Sequence, residues 1–71
     1  MVQLLTGKFM SVLHIDNEKE SAISRAKELS VGRILYVIEA NWAYYVDTDS
    51  YLQPWDNLVA IVEKGEIKHL K

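Results

Sequence analysis

The pattern of apolar and polar positions predicts three β-strands in the first two thirds of the chain. Residues 8–15, "KFMSVLHI", place apolar side chains on both faces at a period of two, and residues 33–40, "RILYVIEA", form an unbroken apolar run rich in β-branched residues. Residues 42–49, "WAYYVDTD", form a third strand segment, in which Trp42, Tyr44 and Val46 alternate with Ala43, Tyr45 and Asp47. Because the link between the last two segments is short, it predicts a tight hairpin in which Asn41 adopts a positive φ.

Residues 16–32, "DNEKESAISRAKELSVG", predict a helix. Asp16 or Asn17 is suited to cap its start, with Glu20 completing a capping box, and Gly32 is suited to a left-handed stop. The spacing of three, four and seven residues forms one narrow stripe of mostly small side chains: Ala22, Ile23, Ala26, Leu29 and Ser30. Such a stripe is typical of a helix that lies across one face of a sheet.

The two ends of the chain allow alternatives. Residues 1–5, "MVQLL", form either an edge strand folded back through a turn at Gly7 or a loose terminus. Residues 58–70 form either a strand pair that turns at 63–66 or a helix that begins at Pro54 and ends near Gly65. The β-branched residues in this segment favour the strand pair.

Together these elements predict an α+β fold in a single domain over residues 1–71. The element order is β(β)αββ followed by a β-hairpin, giving a mainly antiparallel sheet of four or five strands with one helix packed on one face. A helix is ~10–12 Å wide and strands are ~4.8 Å apart, so one helix covers only part of such a sheet. Some apolar sheet surface is therefore left over.

Composition narrows the functional classes. Cysteine is absent, which excludes disulfides, thiolate metal sites and cysteine nucleophiles, and no apolar run is long enough for a signal peptide or a membrane span. We therefore expect a soluble cytoplasmic protein. The charge is uneven: residues 33–62 contain one cation, Arg33, against four carboxylates at Glu39, Asp47, Asp49 and Asp56. Because nucleic-acid binding needs clustered Lys and Arg, this segment argues against it.

No pattern of catalytic or metal-binding residues emerges. An EF-hand loop begun at Asp47 fails because Leu52 and Leu58 stand where glycine and glutamate are required. Antiparallel pairing could bring His14 or His69 near a carboxylate such as Asp16 or Glu39 and so form an acid–base pair, but nothing in the spacing requires it. The serines and glycines form no nucleophile elbow or phosphate loop. We predict no catalytic residue, cofactor or metal, and leave open whether the chain is an enzyme.

Residues 41–58, "NWAYYVDTDSYLQPWDNL", combine aromatic and acidic residues. The alternation puts Trp42 and Tyr44 on one sheet face and Tyr45 on the other, and one helix cannot bury them all. Trp55 follows Pro54, which presents it at a defined angle. We favour its burial as a plug on the open sheet face, with an exposed partner contact as the alternative. The candidate partner-binding residues are Trp42, Tyr44, Tyr45, Asp47, Asp49, Tyr51, Trp55 and Asp56.

These features favour a non-enzymatic protein-interaction module, accessory or adaptor in character, that binds a protein partner or a second copy of itself through its aromatic and acidic face and loop. The alternative is a ligand-binding domain or enzyme with a pocket between the helix and loop 48–57, for which a cavity of ~300 Å³ or more is expected. Single-stranded nucleic acid stacked on Trp42 and Tyr44 is a third hypothesis. No membrane partner is expected.

Overall fold

The computed structural model describes residues 11–71, which form five strands and one helix. Their bounds are β1 Val12–Asp16, α1 Lys19–Leu29, β2 Ile34–Ala40, β3 Ala43–Asp47, β4 Asn57–Glu63 and β5 Glu66–Leu70. All strand pairs are antiparallel, in the order β1-β3-β2-β4-β5. The predicted α+β class is confirmed, and the C-terminal segment is a strand pair. The strand considered for residues 1–5 lies outside the described residues.

One face of the sheet packs against α1. Ala22 and Ala26 are fully buried, and their small side chains let the helix lie close to β1, β2, β3 and β4. The sheet contributes Leu35, Val37, Val46, Val59, Ala60 and Val62 to this core. Strand β5 is exposed along its whole length. This exposure agrees with the expectation that one helix covers only part of the sheet.

The start of the helix differs from the predicted capping box. Glu18 occupies the cap position, and its side chain forms no capping hydrogen bond. Asp16, one of the two residues predicted to cap the start, organises it from outside the helix: its Oδ1 accepts the Glu18 N–H at 3.1 Å, and its Oδ2 accepts the Ser21 hydroxyl at 2.6 Å. The carboxylate therefore acts from the end of β1, because the turn between strand and helix folds back over it.

The end of the helix is tied to the distant β4–β5 turn through Ser30. This residue is fully buried. Its Oγ donates to the Lys27 carbonyl at 3.1 Å and accepts the Gly65 N–H at 2.8 Å, while its carbonyl accepts the Lys64 N–H at 3.1 Å. Gly32 follows at φ 74°, the predicted left-handed stop. Ser30 thus links the C-terminal end of the helix to the β4–β5 turn.

The hairpin between β2 and β3 turns through Asn41 and Trp42, because Ala40 pairs with Ala43. The positive φ predicted for Asn41 is confirmed at 52°, but Trp42 also has a positive φ, 69°. Two such residues in a two-residue loop are the signature of a type I′ turn. The prediction that Trp42 lies on a strand face with Tyr44 is therefore wrong, since Trp42 belongs to the turn.

Candidate interaction surface

Trp42 is the most exposed large apolar residue of the described chain, with 95% of its surface accessible. It occupies the second central position of the type I′ turn, where glycine is favoured because it lacks a Cβ. A bulky side chain at positive φ is rare, and the left-handed conformation costs roughly 1–2 kcal/mol for an L-residue other than glycine. The hairpin tip therefore carries a strained, solvent-facing indole.

Trp55 is presented by a second turn, Gln53–Asp56. The Asp56 N–H donates to the Gln53 carbonyl at 2.9 Å, and the Asp56 carboxylate accepts the Gln53 N–H at 2.9 Å. Pro54 fixes its own φ at the first central position of the turn. This closed, doubly bonded turn sets the direction of the Trp55 side chain.

Trp55 does not act as a buried plug. It is 62% exposed, so the sequence-based interpretation that it fills the gap beside the helix is wrong. The physical reason is the turn itself. Asp56, directly after Trp55, is the residue that turns inward, with 9% exposure, and Trp55 is consequently held outward.

The two turns meet at one end of the sheet. Strand β2 ends at the Asn41-Trp42 turn, and Glu39, one residue before its last, pairs with Asn57, the first residue of β4. Because Trp55 lies two residues before Asn57, both tryptophans flank the same corner. Between them is a groove of about 230 Å³ lined by Glu39, Ala40, Asn41, Trp42, Trp55 and Asn57, which we call the tryptophan groove.

Glu39 contributes the carboxylate of this groove. It lies on β2, half-buried, between Tyr44 of β3 and Asn57 of β4. Its side chain forms no hydrogen bond or ion pair with any other residue of the described chain. Lys19 and Lys71 line an adjoining groove of about 210 Å³ that also touches Glu39, but neither pairs with it. Glu39 is therefore a half-buried carboxylate without a counter-ion among residues 11–71.

The acidic residues proposed from the sequence have separate positions. Asp47 is 1% exposed, and its Oδ1 accepts the Asp49 N–H at 2.9 Å. Asp56 closes the Trp55 turn from a buried position. Asp49 is exposed and accepts the Tyr51 N–H at 3.0 Å. Asp47 and Asp56 therefore shape the backbone of the loop, whereas Asp49 lies on the surface.

The remaining tyrosines are also separated. Tyr44 is half-buried against the core on the helix side, and Tyr45 is half-buried on the opposite face between Ile15 and Ile38. Tyr51 is 60% exposed, in the connection that crosses β2 between β3 and β4. Of the predicted set, the structure brings Trp42 and Trp55 together and displays Asp49 and Tyr51 elsewhere on the loop.

A polar cluster at the start of the helix contains His14, Asp16 and Ser21. His14 Nε2 lies 3.2 Å from the Asp16 Oδ2 that also accepts the Ser21 hydroxyl. These hydrogen bonds, the one from Ser21 above all, lower the pKa of Asp16 to about 2. A nucleophilic serine needs its base on the hydroxyl, whereas here the carboxylate separates the two groups. The cluster serves to fix the helix start.

Other sites expected of an enzyme or a metalloprotein have little support in the described residues. Within residues 11–71, no three His, Asp or Glu side chains come together as metal ligands. The groove that reaches the helix at Lys19 holds about 210 Å³, below the ~300 Å³ typical of a small-molecule pocket. A larger open depression of about 440 Å³ lies along Val12–Ile15, but His14 is the one polar side chain in its described lining. No helix in residues 11–71 is both long enough and apolar enough to cross a membrane.

Comparison with known protein families, curated proteins and solved structures finds no match.

Sequence reasoning missed Glu39 and Asn57. Glu39 lies in a segment that reads as apolar, and Asn57 lies at the end of the predicted loop. Their pairing depends on a β2–β4 register that local patterns do not encode. One local signal was present at Asn41-Trp42. An Asn followed by a bulky residue, where Asn-Gly is the favoured hairpin turn, indicates a turn with an unusual second position.

Proposed function

We propose that this chain is a protein-interaction module that binds a partner protein through a surface centred on Trp42 and Trp55. The observation that carries the proposal is Trp42, which is 95% exposed at a backbone position that favours glycine. An indole that contacts so little of its own fold, at a cost in backbone strain, is best explained by a contact made outside the chain.

The chemistry of the two residues supports this role. Tryptophan is enriched among the residues that dominate binding energy, because it buries a large area for the loss of few side-chain torsions. Both indoles are set by tight turns, so little conformational entropy remains to be lost on binding. Tyr51 and Asp49, exposed on the loop that carries Trp55, are further candidate contacts.

The partner we propose is a different protein and not a second copy. A two-fold contact through this surface would bring Glu39 of one copy toward Glu39 of the other, and like charges oppose such a contact. The cysteine-free composition is compatible with a cytoplasmic site of action, which belongs to the same proposal.

The test compares partner capture by the wild-type chain and by Trp42→Gly, which removes the indole and relieves the turn. Proteins captured from the native cell by wild type are identified and purified, and binding is remeasured by calorimetry. We expect Trp42→Gly to weaken binding at least about thirtyfold, or ~2 kcal/mol. Val31→Ala is the matched control, because Val31 is 81% exposed at the opposite end of β2 and should not affect binding.

Three results would contradict the proposal. Equal affinity of Trp42→Gly and wild type for the partner would show that this surface does not take part in binding. Concentration-dependent dimerisation that Trp42→Gly abolishes would make the occupant a second copy. Salt-dependent binding of single-stranded oligonucleotides that requires Trp42 would assign the surface to nucleic acid.

A further inference from the structure

We infer that the tryptophan groove receives a cationic side chain, Lys or Arg, from the partner protein. This inference deepens the proposed function and rests on it. It follows from three features in one place: two exposed indoles on neighbouring turns, a carboxylate on β2 beside them, and a volume suited to one side chain.

The indoles provide the first feature. A cation above the face of an aromatic ring is attracted by the ring quadrupole, and tryptophan gives the strongest attraction among the aromatic side chains. Trp42 and Trp55 line the groove from two separate turns. A side chain entering between them is thus offered aromatic surface from both.

Glu39 provides the second feature. Its half-buried side chain has no hydrogen bond or ion pair within the described chain. Glu39 is the one charged residue among the described residues that line the tryptophan groove, since Lys19 and Lys71 line the adjoining groove. A partly desolvated carboxylate attracts a cation more strongly than one in bulk water does, because the local dielectric is lower. The groove therefore has the charge that complements Lys or Arg and disfavours an acidic side chain.

The size of the groove provides the third feature. At about 230 Å³ it is smaller than the pockets that enclose drug-sized ligands, which begin near ~300 Å³. Asn57 also lines it and carries an amide that can accept a hydrogen bond from an ammonium or guanidinium group. The dimensions are those of a site for one side chain presented by a larger partner.

The experiment uses the two indole N–H signals of the full chain in ¹⁵N NMR, since the sequence contains two tryptophans. The probes are blocked tripeptides with one central residue: acetyl-Gly-Lys-Gly-amide, its Arg counterpart, and a norleucine counterpart that keeps the apolar stem without the charge. We expect Lys and Arg peptides to shift both indole signals saturably. The norleucine peptide should bind at least about fivefold more weakly, ~1 kcal/mol.

Glu39→Gln tests the carboxylate. This variant should weaken the Lys peptide about fivefold, ~1 kcal/mol, and leave the norleucine peptide unchanged. Glu66→Gln is the matched control, because it removes the same charge from an exposed position at the start of β5, beside the opposite end of β4. It should leave both affinities as in wild type.

The outcomes separate the two claims. Equal affinity for Lys and norleucine peptides, no saturable shift, or equal weakening by Glu39→Gln and Glu66→Gln would overturn the cationic site. If partner capture still depended on Trp42 in those cases, the interaction module would stand without it. If the Lys peptide bound as expected while Trp42→Gly left partner capture intact, the site would stand and the proposed function would fall.

Discussion

Residues 11–71 contain two hairpin turns of the same type with opposite roles. Asn41-Trp42 and Lys64-Gly65 each join antiparallel strands through two residues with positive φ, at 52° and 69° in the first turn and 52° and 77° in the second. The second turn has glycine where the geometry favours it. The first has tryptophan in the same position. The two turns therefore share a backbone conformation but differ in the residue at the second central position.

The two turns also differ in what they contact. The Lys64-Gly65 turn donates two backbone N–H groups to Ser30 at the end of the helix. The Asn41-Trp42 turn exposes its indole and lines a groove with Trp55. One turn is optimised for the fold, whereas the other gives up stability at a position where a side chain can meet a partner. Four substitutions test this contrast.

Ser30→Ala should have the largest effect. It removes the acceptor of the Gly65 N–H and the donor to the Lys27 carbonyl, so we expect a loss of about 1–2 kcal/mol in unfolding free energy. Urea denaturation followed by circular dichroism measures it. Ser50→Ala, in the exposed loop, is the control and should change stability by less than ~0.5 kcal/mol. Equal unfolding free energies for the two variants would show that the Ser30 hydroxyl does not stabilise the β4–β5 turn.

Gly65→Ala should cost about 1 kcal/mol, because an alanine Cβ disfavours φ 77°. Space is not the cause, since the added Cβ would lie 3.9 Å from the Lys27 carbonyl oxygen, an ordinary contact. Gly65→Asn should cost less, since asparagine tolerates this region better. The same urea series compares them, and an unchanged midpoint for Gly65→Ala would show that the turn bears no such constraint.

Trp42→Gly should stabilise the chain by about 0.5–1 kcal/mol. It relieves the left-handed strain, less the entropy that glycine adds to the unfolded chain. Trp42→Ala keeps the strain and loses only an exposed side chain, so it should change stability by less than ~0.5 kcal/mol. A clear loss of stability in Trp42→Gly would mean that the indole stabilises the fold. The claim that the Asn41-Trp42 turn gives up stability would then be wrong.

Trp55→Ala should have the smallest effect on stability, below about 0.5 kcal/mol, because the side chain is largely exposed and its turn is closed by Asp56. A loss of ~3 kcal/mol or more, as for a buried aromatic residue, would restore Trp55 as a core residue. Thermal melting by circular dichroism at matched protein concentrations makes this comparison.

Much of the fold was accessible from the sequence because periodicity reports which side of an element is buried. The helical stripe at Ala22 and Ala26 and the apolar run of β2 were both read correctly. The start of the helix was read in part. Asp16, one of the two residues suited to cap it, accepts the Glu18 N–H, but its contact with the Ser21 hydroxyl was not predicted, and the capping box with Glu20 does not form. Contacts made by side chains across a fold are not encoded in spacing alone.

The candidate surface was only partly accessible. The aromatic richness of residues 41–58 drew attention to Trp42 and Trp55, and both line the tryptophan groove. Glu39 did not stand out, because its role depends on the order of the strands, which places β4 beside β2 and not beside β3. Asp47 and Asp56 were grouped with the surface, but both are buried.

The exposure of both tryptophans has a spectroscopic consequence. The chain has two tryptophans, and neither indole is buried in the fold, so each already emits from a largely aqueous environment in the native state. Intrinsic fluorescence should therefore change little on unfolding. An interface that covers the indoles removes water from them and should shift the emission to shorter wavelength, so that the natural fluorescence of this protein reports association rather than folding.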